Sequence, residues 1–348
     1  MITDYANFLS INKLTYYAID FDDNLLHMPT KIHMDKLIEG VWTPLSISPS
    51  EYAVIRNNSD YRIRNNNAKE AYTEFRDYGP RGNQSFIEDI KISLNNKDFG
   101  PSWKSFLTCL IEANLFALIT ARGHESDTLK QGIKYIIDNC LSNSDKLTMK
   151  ENCYKFTCIF GDIKETKHND DYILNYLNHC RFYGVGEPYS ASFKNEFNIT
   201  KSLKIEQAKE MALNKFIAEC NEYGKKSNLN VSIGFSDDDK KNVEHIKSYL
   251  EYISTTHSHL NLSVFDTSNK GFLKIKINES VTEPYMSNGS ASITRFINTN
   301  SMPNTLQNST NDFSGQEFNQ RVKTATFLKR KMMKSDSIKK FKFKKKSK

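Results

Sequence analysis

Tyr-Tyr-Ala-Ile-Asp-Phe-Asp-Asp-Asn-Leu, residues 16–25, joins a short apolar run to a cluster of acidic residues. The run 16–19 predicts a buried parallel strand, because strands covered on both faces of a sheet are almost continuously apolar. In open α/β sheets, ligands bind just beyond the carboxyl ends of the strands. The acids that follow this strand therefore occupy the position of a ligand site.

Asp20 and Asp22 have the spacing of a metal site. On a continuing strand both would face one way, while a chain leaving the strand can aim one side chain and one backbone carbonyl at the same point. Packed carboxylates repel one another, and without a cation some of them would have to hold protons. The alternative is an acidic turn that caps the next helix, since Asp and Asn are common in turns and caps.

A second apolar run, 115–119, ends in Thr120 and precedes a helix predicted at 126–140. A hydroxyl at a strand end beside a helix N-terminus is a ready phosphate contact, because backbone N–H groups and the helix dipole add to it. The alternative role for Thr120 is a helix cap. Arg122 and His124 lie just past this strand, and Arg122 either binds a substrate phosphate or is an exposed residue paired with an acid.

The clearest amphipathic pattern in the chain predicts a helix at 203–223, with Lys209 near its start. A cation there would hold a phosphate and keep a neighbouring carboxylate ionised. Lys204 and Lys201 are rival candidates for the same role.

A further apolar run, 231–235, leads into Ser236-Asp237-Asp238-Asp239 and a helix predicted at 240–252. We favour Asp237 as a metal ligand, with Asp238 close behind it. Asp239 is predicted to be the helix cap.

The segment between the first two strands predicts an insertion at about 26–100. Extended runs around Glu39-Gly40 predict a β-hairpin, and Ser48-Pro49-Ser50-Glu51 predicts the start of a helix. The other predicted elements are a helix at 101–112, a strand at 155–160, a helix at 170–180, a loop at 182–197 and a closing strand pair at 260–265 and 272–277.

Composition indicates a globular protein over most of its length. The chain has 348 residues, of which 38% are hydrophobic, enough to bury one large core or two modest ones. No apolar run approaches the roughly 20 residues that span a bilayer, and the first residues lack the pattern of a signal peptide. We therefore expect a cytoplasmic protein without membrane contact. The six cysteines include no Cys-x-x-Cys pair, which favours reduced thiols over a zinc site.

The C-terminal part differs in character. Ser, Asn and Thr dominate residues 278–328, which predicts a disordered linker. Residues 329–348 contain eleven Lys or Arg and one Asp, so this tail carries +10 and the preceding 328 residues carry −3 of the net +7. Such a basic tail, Lys329 to Lys348, is suited to bind nucleic acid or another polyanion, or it simply solvates the chain end.

Taken in order, these segments resemble the four motifs of the haloacid dehalogenase (HAD) superfamily over roughly residues 14–266. The first family motif is Asp-x-Asp-x-Thr/Val after a strand, and here Asn24 replaces the final residue. Thr120 matches the second motif, Lys209-Glu-Met-Ala-Leu the third, and Asp237-Asp238 the fourth. The hairpin insertion and the form Ile-Thr-Ala-Arg-Gly-His are most similar to HAD-like proteins encoded by bacteriophages, which implies the cytoplasm of a microbial or phage-infected cell.

The resemblance implies an α/β domain at 1–277 with a Rossmann-like parallel sheet, a β-hairpin and helical cap at about 26–100, and a disordered basic C-terminal tail. It implies a Mg²⁺-dependent phosphatase in which Asp20 is the nucleophile and Asp22 the general acid and base. Mg²⁺ would be held by Asp20, the Asp22 carbonyl and Asp237 or Asp238.

The phosphate would be bound by Thr120 and Lys209, with Arg122 as a further contact. The expected substrate is a phosphorylated small molecule such as a nucleotide, or a nucleic-acid end, in view of the tail. The alternative is a non-catalytic HAD-fold binding or virion-associated structural protein anchored by its basic tail.

Overall fold

The computed structural model describes residues 13–75, 82–160, 171–187, 189–268, 273–277 and 282–284. The basic tail at 329–348 and the predicted linker, apart from 282–284, lie outside the described residues. Among the helices within these ranges, none combines the length and the apolar character needed to cross a membrane. The five cysteines with described side chains are all free thiols.

The described elements alternate along the chain in the manner of an α/β protein. The strands are β1 (Lys13–Ile19), β2 (Ile32–Ile38), β3 (Val41–Ile47), β4 (Tyr61–Ile63), β5 (Phe116–Thr120), β6 (Arg181–Gly184), β7 (Asn230–Asp237), β8 (Leu260–Asp266), β9 (Leu273–Lys276) and β10 (Thr282–Pro284). The helices are α1 (Pro49–Ile55), α2 (Ala68–Ala71), α3 (Gly82–Asn96), α4 (Trp103–Ile111), α5 (Ser126–Cys140), α6 (Asn143–Phe160), α7 (Asp171–His179), α8 (Ala191–Phe197), α9 (Ile205–Ser227) and α10 (Lys240–Thr256).

The main sheet has seven strands in the order β10-β9-β8-β7-β1-β5-β6. The five strands from β8 to β6 are parallel, whereas β9 and β10 are antiparallel to their neighbours. β1 lies between β5 and β7, with Ile19 in register with Leu118 on one side and Ser236 on the other. The carboxyl ends of these three strands therefore meet at one edge, and the prediction of a largely parallel sheet is confirmed.

The core forms because the central strands are buried on both faces. β5 is buried at every position, and β1 from its second residue onward. The long helix α9 lies against β1, β5 and β7, and Phe216 on α9 meets Tyr16 edge to face at 6.3 Å between ring centroids. This packing fixes α9 relative to the strand ends.

The segment between β1 and β5 forms a second, antiparallel sheet in the order β3-β2-β4. Glu39 and Gly40 both have positive φ, 49° and 81°, which matches the two-residue turn that joins right-twisted strands. Ile32, Met34 and Ile47 form a small core of their own. The predicted hairpin and the helix after it are confirmed, and we call residues 32–75 the cap.

Two predicted elements are wrong. Residues 155–160 continue helix α6 and do not form a strand, because a helix already begun upstream propagates through residues of β propensity. Residues 182–197 are not a loop but contain most of β6 and all of α8. Gly184 and Gly186 suggested a loop, yet a Cβ on either would collide with the carbonyl oxygen of His124 or Ala121, so these glycines permit close backbone approach.

The predicted linker also begins too early. Thr282–Pro284 pairs antiparallel with β9, with Thr282 opposite Ile275. Strand pairing satisfies the backbone groups of this short segment despite its polar surroundings, and a proline is tolerated because the strand lies at the sheet edge.

Candidate active site

The sheet brings three of the predicted site segments to one place. Asp20 directly follows β1, Thr120 ends β5 and Asp237 ends β7. The backbone N–H of Asp20 still donates to the carbonyl of Ser236, at 3.0 Å, so its position is fixed by the sheet ladder. All three residues are buried.

Lys209 joins the two acids. Its Nζ lies 2.7 Å from Asp20 Oδ1 and 2.6 Å from Asp237 Oδ2, and the Lys209 side chain is 1% exposed. Burial by itself would lower the pKa of Lys209, but the two carboxylates outweigh it and raise that pKa above its ordinary value. The lysine is therefore a permanent cation at the carboxyl edge of the sheet.

Asp238 completes a cluster with Asp20 and Asp237 in which one ligand atom of each lies within 4.8 Å of the others. Burial, with repulsion from the neighbouring acids, raises the pKa of Asp238 well above its usual range. The pKa of Asp20 is also raised, chiefly by burial, although Lys209 opposes the rise. Clustered acids held in this state fit a hard divalent cation, which would bind their oxygens and relieve their repulsion.

The hydrogen bonds separate the roles of Asp237 and Asp238. Asp237 accepts from the backbone N–H of Asp239 at 2.9 Å, from Asn242 at 3.2 Å and from Lys209. Over the described ranges, no hydrogen bond or ion pair reaches the Asp238 carboxylate. Its oxygens are thus the more available for a metal ion, while Asp237 orients the lysine.

Asp22 faces a different partner. Arg122 donates to its carboxylate with Nε at 2.9 Å from Oδ2 and Nη2 at 2.8 Å from Oδ1, a bidentate arrangement that fixes both groups. Thr120 Oγ1 lies 3.4 Å from the same carboxylate. Arg122 also donates to Thr30 at 2.6 Å and is 3% exposed. Arg122 is thus paired with an acid, as one of our alternatives held, but inside the site and not on an exposed loop.

Asn24, which replaces the last residue of the first motif, has a structural role at this position. Its side chain is fully buried and donates to the carbonyls of Asp20 and Ser236, both at 3.2 Å. Its Oδ1 accepts from the hydroxyls of Ser102 at 2.7 Å and Thr267 at 2.9 Å. Asn24 therefore ties the turn after β1 to three other segments.

Two acids attach the cap to this edge. Asp23 accepts from the backbone N–H of Ser50, in the first turn of α1, at 2.8 Å and bonds His27 at 2.7 Å. Arg56, just after α1, lies 3.0 Å from Asp239. The cap is thus held above the strand ends from two sides.

The predicted helix cap at Asp239 is confirmed, because its side chain accepts from Lys241 N at 3.0 Å at the start of α10. Lys201 and Lys204 are exposed, and Lys209 is the lysine placed among the acids. His124 is buried beside Phe86 and does not line the cavity between the strand ends and the cap.

A cavity of about 650 Å³ lies between the strand ends and the cap. Its floor contains the acidic cluster with Thr120, Arg122 and Lys209, and its roof is mostly apolar. The lining residues from the cap are Ile32, Pro49, Tyr52, Ala53, Arg56, Ala68, Lys69, Tyr72 and Phe75. Enclosure of this size suits a small organic ligand.

Sequence reasoning missed Asn24, Asn242 and the cap residues that line this cavity. Asn24 was visible as a departure from a motif, but its partners are remote in sequence. Comparison of the chain with protein-family models, curated proteins and solved structures found no match.

Proposed function

We propose that this protein is a Mg²⁺-dependent phosphomonoester hydrolase of the HAD type, acting through an aspartyl phosphate. The observation that carries the proposal is the Asp20 carboxylate. It is buried at the end of the central strand, bonded through one oxygen to Lys209, and lines a cavity with Asp238 close by. Buried charges are costly to maintain, and ionisable groups with strongly shifted pKa values in a cleft are typical of active sites.

In the first half of the reaction, a free oxygen of Asp20 attacks phosphorus in line, and the bond to the leaving oxygen breaks. Asp22 gives its proton to that oxygen, so the alcohol departs neutral. Lys209 opposes the rise that burial causes in the pKa of Asp20, and so favours its anionic form before the attack. It then contacts the phosphate during the attack.

In the second half, Asp22, now a carboxylate, takes a proton from water, and the resulting hydroxide attacks phosphorus. The bond to Asp20 breaks and inorganic phosphate is released. Arg122 orients Asp22 through its two hydrogen bonds, and Thr120 supports a phosphate oxygen.

Asp20 and Asp238, with Asp237 and the Asp22 carbonyl beside them, would hold Mg²⁺, which when bound offsets the negative charge of the phosphate oxygens. The expected partner is a phosphorylated small molecule or nucleic-acid end. Nucleic-acid binding by Lys329 to Lys348 stays a prediction, tested by removing that tail while leaving hydrolysis of a small ester intact.

The test is hydrolysis of an aryl phosphate with and without Mg²⁺, comparing wild type with Asp20→Asn. We expect metal-dependent turnover that falls by at least about 10³-fold in the variant. Asp266→Asn is a matched control, because Asp266 ends β8, the strand next to β7, and does not line the cavity. It accepts hydrogen bonds through one oxygen, which an amide retains. Turnover that survives Asp20→Asn would contradict the mechanism.

A further inference from the structure

The cap presents an aromatic wall to the cavity, formed by Tyr52, Tyr72 and Phe75. Tyr72 stands edge to face with Tyr52 at 6.4 Å and with Phe75 at 5.8 Å between centroids. The two phenol hydroxyls are 3.3 Å apart. All three rings pack against the small cap core and are half-buried. Their positions are therefore fixed, although part of each ring is open.

The wall continues to the chemical end of the cavity. The Arg122 guanidinium lies over the Phe75 ring at 5.3 Å from its centroid, and the same guanidinium holds Asp22. A phosphate beside Asp20 and Thr120 therefore has this aromatic surface next to it. The organic group attached to such a phosphate can therefore lie along these rings.

The cavity is far larger than a phosphate needs, since pockets of about 300 to 1,000 Å³ bind whole organic ligands. Planar rings bind best to such a wall, because they stack on aromatic side chains face to face or edge to face. The hydroxyls of Tyr52 and Tyr72 add polar groups that can bond the edge of a base. An aliphatic sugar phosphate would leave the wall unused.

We propose that the aromatic wall binds the base of a nucleotide whose phosphate lies at Asp20, an inference that rests on the proposed phosphatase function. Tyr72, the central ring of the wall, is the main specificity residue. The nucleotide is either free or the terminal residue of a strand. Lys69, which is exposed at the cavity and has no ion pair within the described ranges, is placed to meet the additional phosphate of a strand.

The test compares phosphate esters of ribose with and without a base. The kcat/KM for adenosine 5′-monophosphate or adenosine 3′-monophosphate is compared with that for ribose 5-phosphate. We expect the better nucleotide to exceed ribose 5-phosphate by at least about tenfold, the usual worth of one stacked base. Tyr72→Leu should remove most of this preference, because kcat/KM for the nucleotide should fall several-fold more than kcat/KM for ribose 5-phosphate. Tyr72→Phe, which keeps the ring, should retain it.

Binding separates this inference from the phosphatase proposal. In the Asp20→Asn background, titration calorimetry with the same three ligands should show the same preference and the same loss in Tyr72→Leu. If nucleotides bound more tightly than ribose 5-phosphate but the wild type hydrolysed none of them, the phosphatase proposal would be rejected. The aromatic wall would still be a nucleotide-binding site. Equal hydrolysis and equal binding of all three ligands would overturn the inference and leave the phosphatase standing.

A short oligonucleotide with a terminal phosphate distinguishes a free nucleotide from the terminal nucleotide of a strand as the ligand. If the ligand is a strand end, kcat/KM for the oligonucleotide should exceed that for the mononucleotide and fall several-fold in Lys69→Met. If the ligand is a free nucleotide, kcat/KM should be higher for the mononucleotide, and Lys69→Met should change neither value.

Discussion

The carboxyl edge of the main sheet and the cap above it are built in opposite ways. At the sheet edge, Lys209 and Asp237 are each 1% exposed, and Lys209 bonds Asp20 across 189 positions of sequence. In the cap, β2 and β3 are joined by a two-residue turn, and the cavity-facing rings are only half-buried. The charges to which we assign the proposed reaction are thus held in the buried core. The rings that we propose to contact the base lie on a local unit with a small core of its own.

The largest effect is expected from breaking the buried ion cluster. Lys209→Met leaves Asp20 and Asp237 without their cation, and removal of one partner of a buried pair costs about 3–5 kcal/mol. Hydrolysis of an aryl phosphate should also be lost. Denaturant unfolding and the phosphatase assay measure the two effects.

Lys201→Met is the matched control, since Lys201 is exposed and makes none of these contacts. It should leave both the stability and the activity unchanged. If Lys209→Met unfolded at the wild-type denaturant concentration, the ion pairs of Lys209 with Asp20 and Asp237 would not stabilise the fold.

A smaller and local effect is expected in the cap. Met34→Ala opens a void in the small cap core, where Met34 is 2% exposed, at a cost of about 2–5 kcal/mol. Because this core is separate from that of the main sheet, amide hydrogen exchange should accelerate in β2–β4 and stay unchanged in β1, β5 and β7.

Val54→Ala is the control, since Val54 is 83% exposed on the cap helix. Equal acceleration of exchange in both sheets of Met34→Ala would show that the cap and the main sheet unfold as one unit.

The smallest effect concerns the pH dependence of stability at the Asp23–His27 pair, where the cap contacts the main sheet. The hydrogen bond to Asp23 raises the pKa of His27 above its usual 6.5, although burial opposes the rise. A raised pKa in the folded state stabilises the protein fully below pH 6.5, and this contribution is lost as the pH rises through the folded pKa. The free energy of unfolding should therefore decrease slightly from pH 6 to 8, by less than about 1 kcal/mol because the His27 side chain is half exposed.

His27→Gln should remove this part of the pH dependence, measured by denaturant unfolding at several pH values. A wild-type protein that became more stable over the same interval, relative to His27→Gln, would contradict the assigned direction.

Much of the sheet edge could be predicted because each segment carries a local signal. An apolar run followed by acids identified β1 and β7, and a run ending in Thr120 identified β5. The two segments that were predicted wrongly have misleading local signals, since residues 155–160 have β propensity but lie in a helix, and Gly184 lies in a strand. Propensity is weak beside the packing that surrounds a segment.

The sequence by itself determined the three strands β1, β5 and β7, the hairpin with its Glu39-Gly40 turn, and the acids and hydroxyl at the strand ends. These depend on periodicity and turn chemistry, which act over a few residues. Only the tertiary structure decided between Lys209 and its rivals, left the Asp238 oxygens available, and placed Tyr72 opposite the acids. Such outcomes depend on contacts between distant segments, and the energies of those contacts exist only after the chain has folded.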